Sequence, residues 1–512
     1  MTVRADVPPR RAFRYKRLMA SQRYVLAVDQ GTTSTRATVL DARLKILGVG
    51  QRVLTQYFPR PALVEHDLTE VWASTEWCIA RALRAAGVKG GAIAAVGITN
   101  QRETTGLWHR GTGRPLHRAI VWQDRRTADA CAELKARGEE ARVKAATGLV
   151  LDPYFSATKL RWLLDTVKGA RALAEAGALC FGTIDTWLVY QMTGGAAHVT
   201  DVSNASRTLL MGLASLAWEP SLLELFGIPA QVLPRIAGSA ELLGLTRGMR
   251  SLPDGVPVAG MAGDQQAALF GQACFLPGEA KCTYGTGAFL LMNVGEVPVV
   301  SSSGLLTTVA WRLGGVTTYA LEGASFIAGA AVEWLRDGLG LIKRAGDVEA
   351  LARTVPDTGD VVFVPALAGL GAPHWRPDAR GLFAGLDRST TKAHLARAVL
   401  EGVALQILDL ADAMKLDSGR DIPAFKVDGG AATNDLLMQY QADFLGTTVV
   451  RPRNVETTSL GAAFLAGLGV GFWKSPEDIR RAWKAERLFK PRMAPAVRAR
   501  LLEKWRDAVR RA

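Results

Sequence analysis

Short apolar runs, each closed by a polar bend, divide this chain into strands and amphipathic helices. Tyr24 to Val28 run into Asp29, a Gly-Thr-Thr turn follows, and Ala37 to Leu40 resume the apolar pattern, which predicts a tight β-hairpin. A third strand over Ile46 to Gln56, a helix over Thr69 to Ala86 and a strand over Ala92 to Thr99 come next. A second hairpin of the same type is predicted over Gly278 to Glu296, with Gly285, Thr286 and Gly287 at its bend. Between the two hairpins, Val256 to Gln272 reads as a buried strand running into a helix at Gly263, Asp264 and Gln265. Further on are a helix over Ser325 to Asp337, a strand-then-glycine segment over Asp360 to Gly371, and a long amphipathic helix over Lys392 to Met414. Phe425 to Asp428 is a short strand that leads through Gly429 and Gly430 to a helix beginning near Thr433 and Asn434. Val497, Leu501, Leu502, Trp505 and Val509 line one face of a final helix, expected to pack on its own domain rather than on lipid.

The bends carry the candidate chemistry. Gly31 lets backbone N–H groups approach an anion, Thr32, Thr33 and Ser34 offer hydroxyls, Arg36 adds positive charge, and Asp29 can hold Mg²⁺ through water. An ordinary polar hairpin turn has the same composition, so the second, similar bend is what favours a grip on a polyphosphate. Arg102 and Glu103 stand where a strand ends and offer donors and acceptors side by side to a polyhydroxy substrate, or else form a plain ion pair. Trp122 lies beside a charged cluster, and Tyr154 follows an Asp-Pro turn at a helix entry. Asp264 at its strand-to-helix junction either caps the helix or accepts a proton from an attacking hydroxyl. Gly329 offers a backbone against which a flat base or ribose can lie.

With 512 residues, 48% hydrophobic and 21% charged, the chain is expected to form two or more domains of a soluble protein. Its five cysteines have neither CxxC nor Cys/His ligand spacing, which points to reduced thiols in a cytoplasmic protein. The net charge of +14 sits at the ends: residues 1–23 hold seven cations against one acid, and residues 474–512 hold thirteen against five. The 450 residues between them are neutral, which argues against nucleic-acid binding. The first 23 residues read as a disordered basic extension. No Gly-Lys dipeptide, GxGxxG, HExxH or GxSxG occurs, so any ATP must be held by the paired hairpins rather than by a P-loop.

Seven motifs appear in one order: DQGTTSTR (29–36), NQRETT (100–105), DPYFSATKL (152–160), AGDQQAALFGQ (262–272), TYGTGAF (283–289), GLGAP (369–373) and DGGAATNDLLMQYQADFLG (428–446). On these the chain, from about residue 24 to about 474, resembles the glycerol-phosphorylating branch of the FGGY carbohydrate-kinase family. That family sits within the actin, hexokinase and Hsp70 superfamily. The resemblance implies an α/β fold of two ribonuclease H-like, actin-like ATPase domains, each a mixed five-stranded sheet flanked by helices, with the active site in the interdomain cleft. It implies domains over 24–272 (glycerol and phosphate) and 273–473 (nucleotide) and a hinge near residue 273; composition adds a basic helical segment over 474–512.

The implied reaction is transfer of the γ-phosphoryl group of ATP to glycerol, giving sn-glycerol 3-phosphate. Arg102, Glu103, Tyr154, Asp264 and Gln265 would hold glycerol, with Trp122 and Phe289 against its carbons and Asp264 as general base. Thr32, Thr33, Ser34 and Arg36 on one side, and Thr286, Gly329, Gly430 and Asn434 on the other, would hold ATP. Glu333 stands near the adenine where many relatives carry Gln, and Asp29 would position Mg²⁺. A homodimer or homotetramer is the family expectation. Phosphorylation of another small polyol such as erythritol, or a non-catalytic actin-like ATP-binding role, are the competing readings. His374 and Arg376 replace a Tyr and an Asp common after GLGAP. Ala237 and Gly238 stand where enterobacterial relatives carry an Arg pair linked to inhibition by fructose 1,6-bisphosphate, so weak or absent inhibition is expected.

Overall fold

The computed structural model describes residues 23–512, so the expected disordered extension lies outside the described residues except for Arg23, whose N–H donates to Ala92 O (3.1 Å). The chain forms two compact units. The first comprises the described residues to Ala267, Trp311–Val316 and Thr458–Ala482; the second comprises Ala268–Ala310, Thr317–Thr457 and Trp483–Ala512.

In the first unit the hairpin of β1 (Tyr24–Gln30) and β2 (Ser34–Asp41) is followed by β3 (Ile46–Val53), α1 (Leu68–Ala86) and β4 (Ile93–Asn100). Asp67 starts α1 by accepting the Thr69 N–H (2.7 Å), and Gly87 ends it in the left-handed region at φ 65°. Between these caps Leu68, Val71, Cys78, Ile79, Ala82 and Leu83 are buried, the helical spacing that lays α1 on the sheet. After α2 (Ser156–Thr166), β5 (Pro257–Gly263) completes a parallel set and runs into α3 (Asp264–Gly271). β4 pairs parallel with β1 on one side and with β5 on the other, in registers that match Asp29 to Thr99 and Gly263 to Asn100. The carboxyl ends of three parallel strands therefore finish side by side, the usual place for a ligand in such a sheet. The sheet has six strands rather than the expected five, because the two-residue strand Gly244–Leu245 pairs with the outer side of β5.

In the second unit β6 (Ala280–Tyr284) and β7 (Ala288–Gly295) form the other predicted hairpin, joined by β8 (Leu306–Leu313) and β9 (Val316–Ser325). The helix expected from Ser325 begins four residues later as α4 (Gly329–Asp337), since Ser325 is still paired with Ala288 in the sheet. α5 (Lys392–Ser418), β10 (Phe425–Asp428), α6 (Asp435–Leu445) and β11 (Val449–Pro452) follow. β10 lies parallel to β6 and to β11, repeating the plan of the first unit.

The last residues depart from the expected separate basic segment. β12 (Ala485–Phe489) pairs antiparallel with β11 and is the seventh strand of this sheet. α7 (Pro495–Arg511) buries Trp505, Ala508 and Val509. The two unusual residues after GLGAP hold it there: His374 Nε2 lies 2.9 Å from Asp409 Oδ2, which also accepts the Trp505 indole N–H (3.0 Å), and Arg376 donates to Val509 O (3.0 Å).

The expected division also differs at residues 458–473, which pack in the first unit rather than the second. Glycines make that packing possible. A Cβ at Gly97 of β4 would lie 2.0 Å from Ala462 O, one at Gly260 of β5 would lie 2.2 Å from Ala466 N, and one at Gly461 would lie 1.8 Å from Ala267 O. Bare backbone at these points lets the helix Thr457–Gly469 press directly on β4, β5 and α3.

Candidate active site

In the first unit the expected residues gather at the carboxyl ends of β1, β4 and β5. Arg102 is nearly fully buried, and its Nε lies 3.3 Å from Asp264 Oδ1 and 3.8 Å from Glu103 Oε1. Its Nη2 donates to the Tyr154 hydroxyl (3.4 Å). Gly263 is required here, since a Cβ would meet Arg102 Cγ at 2.7 Å. Asp264 opens α3, accepts the Gln265 N–H on Oδ1 (2.7 Å) and keeps 29% of its side chain exposed. It is thus buried enough to be positioned and open enough to meet a solute. Gln265 is buried, and the half-buried Trp122 packs edge-on against Tyr154 with ring centroids 5.5 Å apart.

The Asp-Pro turn that presents Tyr154 is held from inside. The Tyr154 N–H donates to Asp152 Oδ1 (2.9 Å), and Lys159, fully buried, donates to the carbonyls of Pro153, Tyr154 and Phe155 at 2.6, 2.6 and 3.1 Å. Burial pushes the Lys159 ammonium down to about 8, against the opposing charges of Glu103, Asp124 and Asp152.

The first bend is braced by glutamine amides. Gln30 and Gln101 donate to Gly31 O (2.8 and 3.1 Å), and Gln56 donates to Thr32 O (2.6 Å). His66 bridges Gln56 and Gln101, and burial lowers its pKa to about 4, so it braces the bend as the neutral imidazole. The Gly31 N–H itself donates to Ser34 O (3.0 Å), closing the bend. The N–H groups of Thr32 and Thr33 have no protein acceptor among the described residues, and the Thr32 hydroxyl accepts from the Trp122 indole (2.9 Å). Ser34 Oγ and Arg36 Nη2 both contact Gln51 (3.1 and 3.0 Å). Asp29, at the end of β1, accepts from Ser459 Oγ (3.2 Å).

The second unit holds a cavity of 470 Å³ lined by all five nucleotide candidates on this side: Thr286, Gly329, Glu333, Gly430 and Asn434. Val332, Leu400 and Leu437 give it apolar walls, a common composition for a small-molecule site. A Cβ at Gly430 would meet nothing within 4 Å, so this backbone faces open space. Gly329 has a packing part besides lining the cavity. Its N–H donates to Gly285 O (2.9 Å) and a Cβ would strike that oxygen at 2.6 Å, so glycine is needed there for α4 to seat on the bend as well as to line the cavity. Asn434 caps α6 by accepting the Leu437 N–H (2.9 Å). Phe289 is half-buried in β7, between Thr283 and Ala324 in register. Asp428, at the end of β10, accepts from the Thr283 and Thr457 hydroxyls and the Gln272 amide (2.5, 2.6 and 2.8 Å).

Sequence reasoning missed Lys159, Glu349 and Arg207. Glu349 lines the cavity while accepting the Asp435 N–H (3.1 Å). Arg207 lies fully buried with its Nε 2.7 Å from Glu103 Oε1. The only signal for it in the chain is a lone cation followed by the apolar run after Thr208.

The N-terminal domain model of the FGGY family of carbohydrate kinases matches residues 24–271, and the C-terminal domain model matches residues 280–470. The chain belongs to the FGGY family of carbohydrate kinases. This FGGY member is 71% identical over 496 residues to the glycerol kinase of Myxococcus xanthus (strain DK1622), with 96% of this chain and 100% of the relative covered. It is 57% identical over 489 residues to the glycerol kinase of Aromatoleum aromaticum (strain DSM 19018 / LMG 30748 / EbN1), with 96% and 98% covered. Among solved structures, the Plasmodium falciparum glycerol kinase with ADP superimposes at a TM-score of 0.90 and 36% identity, covering 95% of this chain and 98% of that one. The FGGY fold, two domains of mixed sheets flanked by helices, is thus common to both.

Proposed function

We propose that this FGGY kinase transfers the γ-phosphoryl group of ATP to glycerol and releases ADP and sn-glycerol 3-phosphate. The observation that carries the reading is the cluster of Arg102 and Glu103 beyond β4, Asp264 beyond β5 and Tyr154 from the turn before α2, which sets hydrogen-bond donors and acceptors side by side. The relatives named above, each a glycerol kinase, support it.

Glu103, Arg102, Tyr154 and Gln265 orient the hydroxyls, while Trp122 covers the carbons. Asp264 accepts the proton of the attacking hydroxyl as its oxygen bonds to the γ-phosphorus and the bond to the β-phosphate oxygen breaks. Arg102, beside Asp264, holds that carboxylate ionised and aimed. Thr32, Thr33, Ser34 and Arg36 donate to the phosphates, and the cavity of Thr286, Gly329, Glu333, Gly430 and Asn434 takes the nucleoside. Asp29 suits Mg²⁺, a cation that takes one or two carboxylates and completes its shell with water and phosphate oxygens. Bound there, Mg²⁺ would neutralise charge on the phosphates.

Five buried, unpaired thiols support a cytoplasmic protein, and the family extends the reading to a homodimer or homotetramer, which sedimentation velocity would measure. The test is a coupled assay of ADP release across glycerol, erythritol and other small polyols, with the product read by an enantiospecific 3-phosphate dehydrogenase. Glycerol as the preferred substrate is expected. Preference for erythritol would transfer the reading to the competing polyol kinase, and an Asp264→Asn variant with full turnover would remove the base assignment.

A further inference from the structure

Glu103 is an unusual side chain to offer a ligand. It is 1% exposed, and its backbone sits at φ 59°, in the left-handed region that few glutamates adopt. Such a residue keeps its geometry only if the surroundings impose it. Its carbonyl accepts from Ser156 Oγ and Thr105 Oγ1, both at 3.0 Å, which pins the backbone. The carboxylate oxygen Oε1 accepts from Arg207 Nε at 2.7 Å.

Arg207 is itself fully buried and anchored. Its N–H donates to Asn204 O (3.0 Å), the next residue's carbonyl accepts the Ala157 N–H (2.9 Å), and Asn204 exchanges amide hydrogen bonds with Asn100 at the end of β4 (3.0 and 3.2 Å). The guanidinium lies over the Phe155 ring at 5.2 Å and 5.7 Å from that of Tyr154, so it also underlies the loop presenting the tyrosine. The charges facing Glu103 are Arg207, Arg102 from its own strand end at 3.8 Å, and Lys159 from α2, which senses the Glu103 charge; Asp264 lies beyond Arg102, and Asp124 and Asp152 act on Lys159.

The geometry points to Arg207 as a positioning residue that acts through Glu103: it keeps this carboxylate ionised and fixed so that it accepts hydroxyl hydrogens of a polyol, and so sets polyol affinity without touching the polyol. The inference rests on the reading of the cluster as the polyol cradle. A buried carboxylate stripped of its strongest cation takes up a proton more readily, and a neutral carboxyl turns one of its two acceptors into a donor. Nucleotide binding, which uses other residues, is unaffected by this change.

The test compares Arg207→Met, Arg207→Lys, Glu103→Gln and the Met/Gln double variant in full-length enzyme, with thermal melting as the check on folding. For Arg207→Met the expected result is an increase in glycerol KM of about ten- to hundredfold at pH 7 with ATP KM unchanged. The acid limb of kcat/KM for glycerol should also move up by about one pH unit or more. Arg207→Lys, which keeps the cation but not the planar fork, should raise KM while leaving the acid limb near its wild-type position, and it carries the test if the Met variant does not fold. In the Glu103→Gln background, Arg207→Met should add little further loss. Wild-type glycerol KM in Arg207→Lys, an unmoved acid limb in a folded Arg207→Met, or a full additional loss in the double variant would each overturn the inference. A wild-type enzyme that releases no ADP with any polyol would instead overturn the reading on which it rests.

Discussion

Gly461→Ala sets helix propensity against packing and shows which one governs the first unit. In an exposed helix the substitution would stabilise by about 1 kcal/mol, because alanine has the higher helical propensity. Here the new Cβ would stand 1.8 Å from Ala267 O and 2.5 Å from Ala267 C, so reaching an ordinary contact of 3.4 Å requires the helix Thr457–Gly469 and α3 to part by about 1.6 Å. Neither atom belongs to a side chain that can swing away, and overpacking of this kind costs about 3 kcal/mol. The net expectation is a loss of about 2 kcal/mol, read as a fall in Tm of roughly 4 °C by calorimetry and as a lower guanidinium midpoint. Ala267 lies one turn beyond Asp264 on α3, so glycerol kcat should fall with stability. Gly91→Ala is the control, since a Cβ there meets nothing within 4 Å. A Gly461→Ala protein that melts at or above the wild type would refute the reasoning, as propensity alone would then decide the outcome.

Other expectations follow from single features. Gly430→Leu points a side chain into the 470 Å³ cavity and should raise ATP KM about tenfold or more while leaving glycerol KM and Tm unchanged, measured by steady-state kinetics and melting. Burial raises the Asp185 carboxyl from 3.8 to about 7 despite hydrogen bonds from the Thr183 and Thr200 hydroxyls. The folded state therefore holds this proton more tightly than the unfolded chain, and the contribution of Asp185 to stability declines as pH rises from about 4 to 7. The stability of Asp185→Asn relative to wild type should accordingly shift upward across that interval by at most about 4 kcal/mol in urea melts, and a difference independent of pH would contradict it. Fructose 1,6-bisphosphate should inhibit weakly or not at all, since Ala237 and Gly238 offer no cation to its phosphates; strong inhibition at physiological concentration would refute this.

Local chemistry explains what the chain alone reveals. Both hairpins, the Asp-Pro turn, the strand-to-helix junction at Asp264 and the long helix from Lys392 depend on periodicity and turn residues within a few positions of one another, and each stands where the pattern predicted it. Family motifs added the Arg102–Asp264 cluster and the residues lining the 470 Å³ cavity, because those side chains sit in the same short segments.

Contacts between distant segments belong to the tertiary structure. Arg207 and Glu103 are 104 residues apart, and no pattern in either segment says that they meet. Gly461 reads as a weak point in a helix until Ala267 is found against it, and such close packing is part of what places residues 458–473 in the first unit. The apolar face of α7 predicts packing on its own domain, but the pairing of β12 with β11, which makes these residues part of the second unit's sheet, is decided only by the tertiary structure. Propensity and turn chemistry are properties of neighbours in sequence, whereas buried charge pairs and backbone-to-backbone contacts exist only once folding has brought remote segments together.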